Sequence, residues 1–211
     1  MLKTPLVTDE IYHVYNKSIA EFVIFNNDAE FLHIKDTVRY YQIENQPIKF
    51  SRIGIDVNNA EQKHADKKLV EIICYCFMPT HIHLALRQLM ENGISNFMRH
   101  ILNSYSHYFN IKHNRKGPLW ESSFKNVLVE SDAQLLHLTR YIHLNPVTAH
   151  IVNKPEDWKW SSYREYVSGN EEGICKYDSL LDINSEEYKK FVEDRISYQR
   201  ELAEIKGLFL D

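Results

Sequence analysis

Two histidines one residue apart, His81 and His83, open a run of apolar, β-prone residues, HIHLALRQ. In a strand, positions i and i+2 project from one face, so this spacing brings two imidazoles to a single spot. Within an otherwise apolar strand each imidazole needs a partner, and a divalent ion is one that imidazole commonly takes. A second stretch, RYIHLNP, sets Tyr141 and Asn145 four residues apart, which on a helix stacks a phenol and an amide oxygen on one face. The Asn145 oxygen can complete a His-His-Asn donor set with open positions, suited to a hard or borderline divalent ion holding a phosphate oxygen. Tyr141 is then left beside that phosphate as a nucleophile. An unperturbed tyrosine ionises near pH ~10, so it needs a metal or a positive field to help it. The ion's larger contribution is to polarise the scissile phosphate and neutralise developing charge.

Each feature taken singly has a plainer reading. The histidine pair also fits one hydrogen-bonded core residue and one facing solvent. Tyr141 also fits a boundary tyrosine with a buried ring and a wet hydroxyl, and Asn145 a helix end before proline. Tyr105 and Tyr108 are rival nucleophiles, but their spacing fits a packing stripe and neither has an Asn four residues on.

The surrounding pattern supplies elements to hold these groups. EIYHVYN, residues 10–16, alternates polar and apolar types as a half-buried strand does. Residues 29–44 carry Phe31, Leu32, Ile34, Val38 and Tyr41 on one side of a helix capped by Asn27 or Asp28. Residues 45–68 show no sustained period and read as an extended surface loop. VEIICYCFM and HIHLALRQ, parted by Pro79-Thr80, read as a hairpin at the sheet centre. A long amphipathic helix spans 93–113, followed by a strand at 124–130. A helix capped by Ser131 or Asp132 is expected to end near Asn145, because Pro146 disfavours helical geometry at the residue before it. The order β-α-β-β-α-β-α matches a split β-α-β core: an antiparallel sheet with helices on one face and a further helix docked at its end. Trp158, Trp160, Tyr163 and Tyr166 form an aromatic segment, and 185–206 supplies one or two final helices.

The 211 residues suffice for one core with appendages. Three cysteines, Cys74, Cys76 and Cys175, offer neither a disulfide framework nor a CxxC zinc site, and reduced thiols in the cytoplasm are expected. The N-terminus lacks an apolar signal core, and no apolar run approaches the roughly 20 residues a membrane span needs. A formal net charge of −4 makes no global case for nucleic acid. Locally, however, Arg99, Lys112, Arg115, Lys116 and Lys125 face only Glu121 between 97 and 125, a plausible polyanion surface. With Arg140 they are the candidate phosphate contacts, and Trp120 is a candidate to stack on an unpaired base. Acidic residues predominate after residue 170, as on a solvated helix.

Four stretches in order, FMPTHIHLAL, GPLWESSFKNVLV, RYIHLNPVTAHIV and DWKWSSYREY, resemble the motifs of REP-associated tyrosine transposases, within the single-tyrosine HUH superfamily. The resemblance implies an α+β, ferredoxin-like core at 1–150, with 151–211 as an aromatic and helical extension packed on the same domain. It implies Mg²⁺ or Mn²⁺ held by His81 and His83 with Asn145 as third ligand, and Tyr141 forming a 5′-phosphotyrosine link. Single-stranded DNA with palindromic hairpins is the implied substrate, and a monomer is expected rather than a homodimer. Thr80 departs from the pattern, where such proteins often carry Asn or Glu before the first histidine. Two other readings remain: a catalytically silent DNA-binding protein on the same fold, and a metal-dependent phosphodiester hydrolase. The first would form no covalent link; the second would use bound water and leave no protein on its product.

Overall fold

The computed structural model describes residues 5–44, 50, 67–169 and 173–201. The loop expected at 45–68 lies largely outside them, as does the end of the helical segment expected at 185–206. Four strands, β1 (Ile11–Lys17), β2 (Val70–Met78), β3 (His81–Gln88) and β4 (Lys125–Leu128), form one antiparallel sheet in the order β2-β3-β1-β4. Five α-helices among the described residues accompany it: α1 (Asp28–Tyr40), α2 (Gly93–Lys112), α3 (Asp132–Thr148), α4 (Tyr163–Ser168) and α5 (Ser185–Glu193). The strand order is that of a split β-α-β core, the ferredoxin-like arrangement.

The expected hairpin forms, but β2 is an edge strand rather than a central one. Its apolar sequence is explained by what covers its outer edge. Phe77 N–H donates to the Trp160 carbonyl (2.9 Å), Ser162 N–H to the Tyr75 carbonyl (3.0 Å) and Lys176 N–H to the Ile72 carbonyl (2.8 Å). The aromatic segment thus finishes the sheet and leaves few open edge groups. Phe31 stacks on Trp160 at 5.0 Å, and the Trp158 indole donates to the Phe77 carbonyl at 3.1 Å, so both tryptophans serve packing.

One sheet face, carrying Tyr12, Val14, Ile82, Leu84 and Leu86, is buried, with α2 packed on the sheet and α1 packed against α2. Gly93 opens α2 where backbone meets backbone: a Cβ there would lie 2.2 Å from the Leu69 carbonyl oxygen. Buried Gln88 accepts from Ile94 N–H (3.1 Å), giving this helix start a partner that its left-handed Asn92 cap does not supply. The third long helix, α3, crosses the other face instead of docking at the sheet end, with Cys74 of β2 against Thr139 and His143. It also runs through Pro146 rather than stopping at Asn145. Only the last turn follows the proline, so one backbone bond is forgone, while Pro146 and Val147 gain burial.

Where α1 meets the end of α2, Glu30 is fully buried. Lys112 Nζ lies 2.9 Å and His113 Nε2 2.7 Å from its carboxylate, and Asn26 N–H donates to it at 2.7 Å. Burial works against the charge, but the Asn26 N–H, Lys112, the Asn26 amide and His113 outweigh it and hold the carboxyl at about 2. A depressed folded pKa stabilises fully above the ordinary value of 4.5 and is lost as pH falls from there towards 2. Glu30→Gln is therefore expected to lower neutral-pH stability by about 2–4 kcal/mol in urea unfolding, with the gap from wild type closing near about pH 2.

Candidate functional site

Alternation along β1 and β3 decides what α3 faces. Their register pairs Ile82 with Asn16 and Leu84 with Val14 on the buried face. His81 pairs with Lys17, His83 with Tyr15, and Ala85 with His13 on the face that α3 crosses. On β4, Lys125 is the partner of Tyr15 and shares that face. Two imidazoles from β3, one from β1, two lysines and the α3 residues thus share one side of the sheet.

The side chains meet. The His81 and His83 rings are 5.1 Å apart between centroids and nearly perpendicular. Tyr141 presents itself edge-on to His83, 5.7 Å between ring centroids, and to His13 at 6.0 Å. Tyr15 lies flatter against both His83 (5.8 Å) and His13 (5.0 Å). Tyr141 is 44% exposed, so its ring rests on the imidazoles while solvent and substrate can reach it. Burial raises its hydroxyl above the ordinary pKa of 10, against the lowering effect of the Asn145 amide; Tyr15 and Cys76 push the same way as burial. The protein alone does not make this phenol a ready anion.

The imidazoles are held neutral. Burial pushes His13 down to about 4; burial, then the Lys17 charge, does the same to His81. His83 falls well below the ordinary range through burial, with His13, His81 and Lys17 adding to the effect. Neutral imidazoles keep a lone pair for a ligand. In both β3 histidines Nδ1 already has a protein partner: Thr80 Oγ1 at 3.0 Å from His81, and His13 Nε2 at 2.9 Å from His83. That leaves Nε2 of each for a ligand, the arrangement in which metal-binding histidines are usually found. Among the described residues no group of three His, Cys, Asp or Glu side chains is gathered as a cage. Two neutral imidazoles on one sheet face and an amide oxygen one helix turn from Tyr141 are donor types that suit a divalent ion still able to take substrate oxygens. Asn145 Nδ2 donates to the Tyr141 carbonyl at 3.0 Å, so its Oδ1 is the atom that would take up such a role.

Behind the site, α3 is tied to the C-terminal segment by fully buried His143. Its Nδ1 lies 2.7 Å from Tyr188 Oη, and its Nε2 lies 2.8 Å from Ser162 Oγ and 3.3 Å from Cys74 Sγ. Burial lowers it to about 3. Two residues from Tyr141 and on another helix face, it anchors the helix.

The other residues singled out in the sequence are dispersed. Arg99, exposed on α2, bonds Asn96 and helps line a cavity of about 770 Å³ on the far side of the sheet. Lys112 is paired with Glu30, and Arg115 donates to the Asn110 side chain and the Pro118 carbonyl. Lys116 is exposed in the turn after α2. Trp120 is buried, its indole donating to the Leu102 carbonyl at 3.1 Å, which suits a core wall better than an open stacking platform. Arg140 turns away from Tyr141, stacking over Phe191 at 4.0 Å. Tyr105 is buried and donates to the Ile24 carbonyl, and Tyr108 stacks on His33; both belong to α2, across the sheet. The sequence reading missed His13, Tyr15 and Lys17. Their signal was the same i, i+2 spacing in EIYHVYNK, legible only once β1 is known to lie beside β3.

Fold and site together describe a split β-α-β protein with a histidine pair facing a helix-borne tyrosine. Residues 41–145 match the model of the family described as Transposase IS200 like, a segment that contains both histidines and Tyr141 and ends at Asn145. That segment, just under half of the chain, is similar to IS200-like transposases. Among curated proteins it is similar to a Haemophilus influenzae protein described as a REP-associated tyrosine transposase, 29% identical over 108 residues. The match covers 46% of this chain and 61% of that relative. Among solved structures it is similar to a REP-associated tyrosine transposase bound to a REP hairpin, with a TM-score of 0.59 and 14% identity over 88% of this chain and 95% of that one. At that identity the likeness is one of fold. No helix among the described residues is long and apolar enough to cross a membrane.

Proposed function

We propose that this chain is a single-tyrosine transposase that cuts and rejoins single-stranded DNA beside palindromic hairpins. Catalysis is assigned to residues 1–150, with 151–211 as a packed extension that buttresses the tyrosine helix, and the monomer as the working unit. The observation that carries the reading is the meeting of the Tyr141 ring, 44% exposed, with buried His83, 5.7 Å between centroids. The IS200-like segment and the hairpin bound by the structural relative support the choice of substrate.

His81 and His83 through Nε2, with Asn145 Oδ1, would hold Mg²⁺ or Mn²⁺. When bound, the ion supplies Lewis-acid stabilisation of the scissile phosphate, worth several kcal/mol. Tyr141 Oη attacks phosphorus, the Oη–P bond forms and the P–O3′ bond breaks. The phenol gives up its proton and the departing 3′ oxygen takes one, so the products are a 5′-phosphotyrosine and a free 3′-hydroxyl. Reversal by another 3′-hydroxyl rejoins the strand. Lys17 and Lys125 stand on the same sheet face as candidates to position the phosphodiester backbone; Arg99 and Lys116 are exposed but belong to α2 and the turn after it, away from that face.

Product chemistry tests this. Full-length protein incubated with Mn²⁺ and a single-stranded hairpin oligonucleotide labelled 3′ of the cut is expected to give a protease-sensitive species that survives SDS. A cut strand with no attached protein would favour water-mediated hydrolysis, and binding with no cut would favour a silent DNA-binding protein.

A further inference from the structure

We infer that His13 is a positioning residue for His83, fixing its tautomer and ring plane so that Nε2 is the nitrogen offered to a divalent ion. The inference rests on the metal-site reading given under Proposed function and extends it to a residue of another strand. His13 Nε2 and His83 Nδ1 are 2.9 Å apart, a hydrogen bond that requires one proton and one lone pair between them. A neutral imidazole carries a single ring proton. If His83 Nε2 is to keep its lone pair, His83 Nδ1 must carry the proton and donate to His13 Nε2, which places the His13 proton on its own Nδ1.

Two features hold the pair in this relation. His13 and His83 lie side by side and nearly coplanar, 5.2 Å between centroids and 19° between planes, as two rings joined edge to edge by the hydrogen bond, and Tyr15 stacks on both. Sheet register sets them there, since His13 faces Ala85, two residues past His83, and the small alanine leaves room for the ring to reach across. Thr80 Oγ1, 3.0 Å from His81 Nδ1, performs the corresponding task for the other histidine. The two sites differ in rigidity: a threonine hydroxyl rotates, whereas an imidazole in a ring stack does not. His13 has no polar side-chain contact other than His83 among the described residues, and it meets Tyr141 only through ring edges. These contacts describe a support for His83 and not a base for the Tyr141 hydroxyl.

The test uses the full chain, without DNA, in wild-type, His13→Phe and His13→Gln forms. Phe keeps an aromatic ring against Tyr15 and deletes the bond; Gln keeps an acceptor that can reach His83 Nδ1. Mn²⁺ affinity is read by electron paramagnetic resonance of the free ion, and the His83 tautomer by ¹⁵N shifts of the metal-free protein. The wild type is expected to show His83 protonated at Nδ1. His13→Phe is expected to weaken Mn²⁺ binding about 10- to 100-fold, with His13→Gln recovering most of the loss. Wild-type His83 protonated at Nε2, or His13→Phe binding Mn²⁺ as tightly as wild type, overturns the inference. Wild type that binds no Mn²⁺ while His83 is protonated at Nδ1 instead sinks the metal-site reading and leaves the positioning contact standing. Should His13→Phe fail to fold, the wild-type tautomer and the His13→Gln affinity decide the matter.

Discussion

Tyr141→Phe is expected to abolish covalent attachment to DNA while leaving the protein folded and able to bind its hairpin substrate. The substitution removes one oxygen from a ring that is 44% exposed and keeps the edge contacts with His83 and His13. Little stability is at stake, because a partly exposed hydroxyl removed without leaving a buried partner unsatisfied costs little. The chemical loss is of another order. No other hydroxyl occupies the same place on α3, so strand cleavage is expected to fall by on the order of 10⁴-fold or more. Gel-shift affinity and single-turnover cleavage, measured on one preparation, separate the two effects. A variant that still cuts at near wild-type rate would remove Tyr141 from its role.

Replacing the histidines is expected to separate them. His83→Ala and His81→Ala should each remove most Mn²⁺ binding and lower single-turnover cleavage by on the order of 10³-fold or more, since each deletes a donor to the ion that stabilises the phosphate. Their effects on folding differ. His83 is buried and is the sole polar side-chain partner of His13 among the described residues, so its loss leaves a cavity and an unsatisfied imidazole, costing about 2–4 kcal/mol. His81 is half-exposed and its partner Thr80 is local, so His81→Ala should melt close to wild type. Equal cleavage with and without a chelator would contradict the role given to both residues.

The sequence carried the parts of this site that depend on short-range periodicity. An i, i+2 pair on one strand and an i, i+4 pair on one helix follow from backbone geometry alone, and both pairs are presented as that geometry requires. Asn27 and Ser131 cap α1 and α3, each accepting from the third residue onward, because their side chains act within one turn. What could not be read was set by long-range pairing. His13, Tyr15 and Lys17 join the site only because β1 lies between β3 and β4. Arg140 adjoins Tyr141 in sequence yet serves α5, since neighbours on a helix point about 100° apart. Trp120 and Lys112 suit nucleic acid by residue type, but a nearby carbonyl and a buried carboxylate engage them. Pro146 followed a local rule that tertiary burial overrode. Thr80, a departure from the expected motif, bonds His81 and so fills a place that sequence comparison alone left open.

The central claim is that the Tyr141 oxygen becomes joined to DNA. Its most direct test is to trap the covalent species on a single-stranded hairpin oligonucleotide, digest the protein, and locate the modified residue by mass spectrometry. The account predicts nucleotide mass on the peptide containing Tyr141, with phosphorus bonded to its phenolic oxygen. Nucleotide on Tyr15, which lies against His83 from the other strand, or on Tyr105 or Tyr108 across the sheet, would contradict it, as would complete strand cleavage with every tyrosine unmodified.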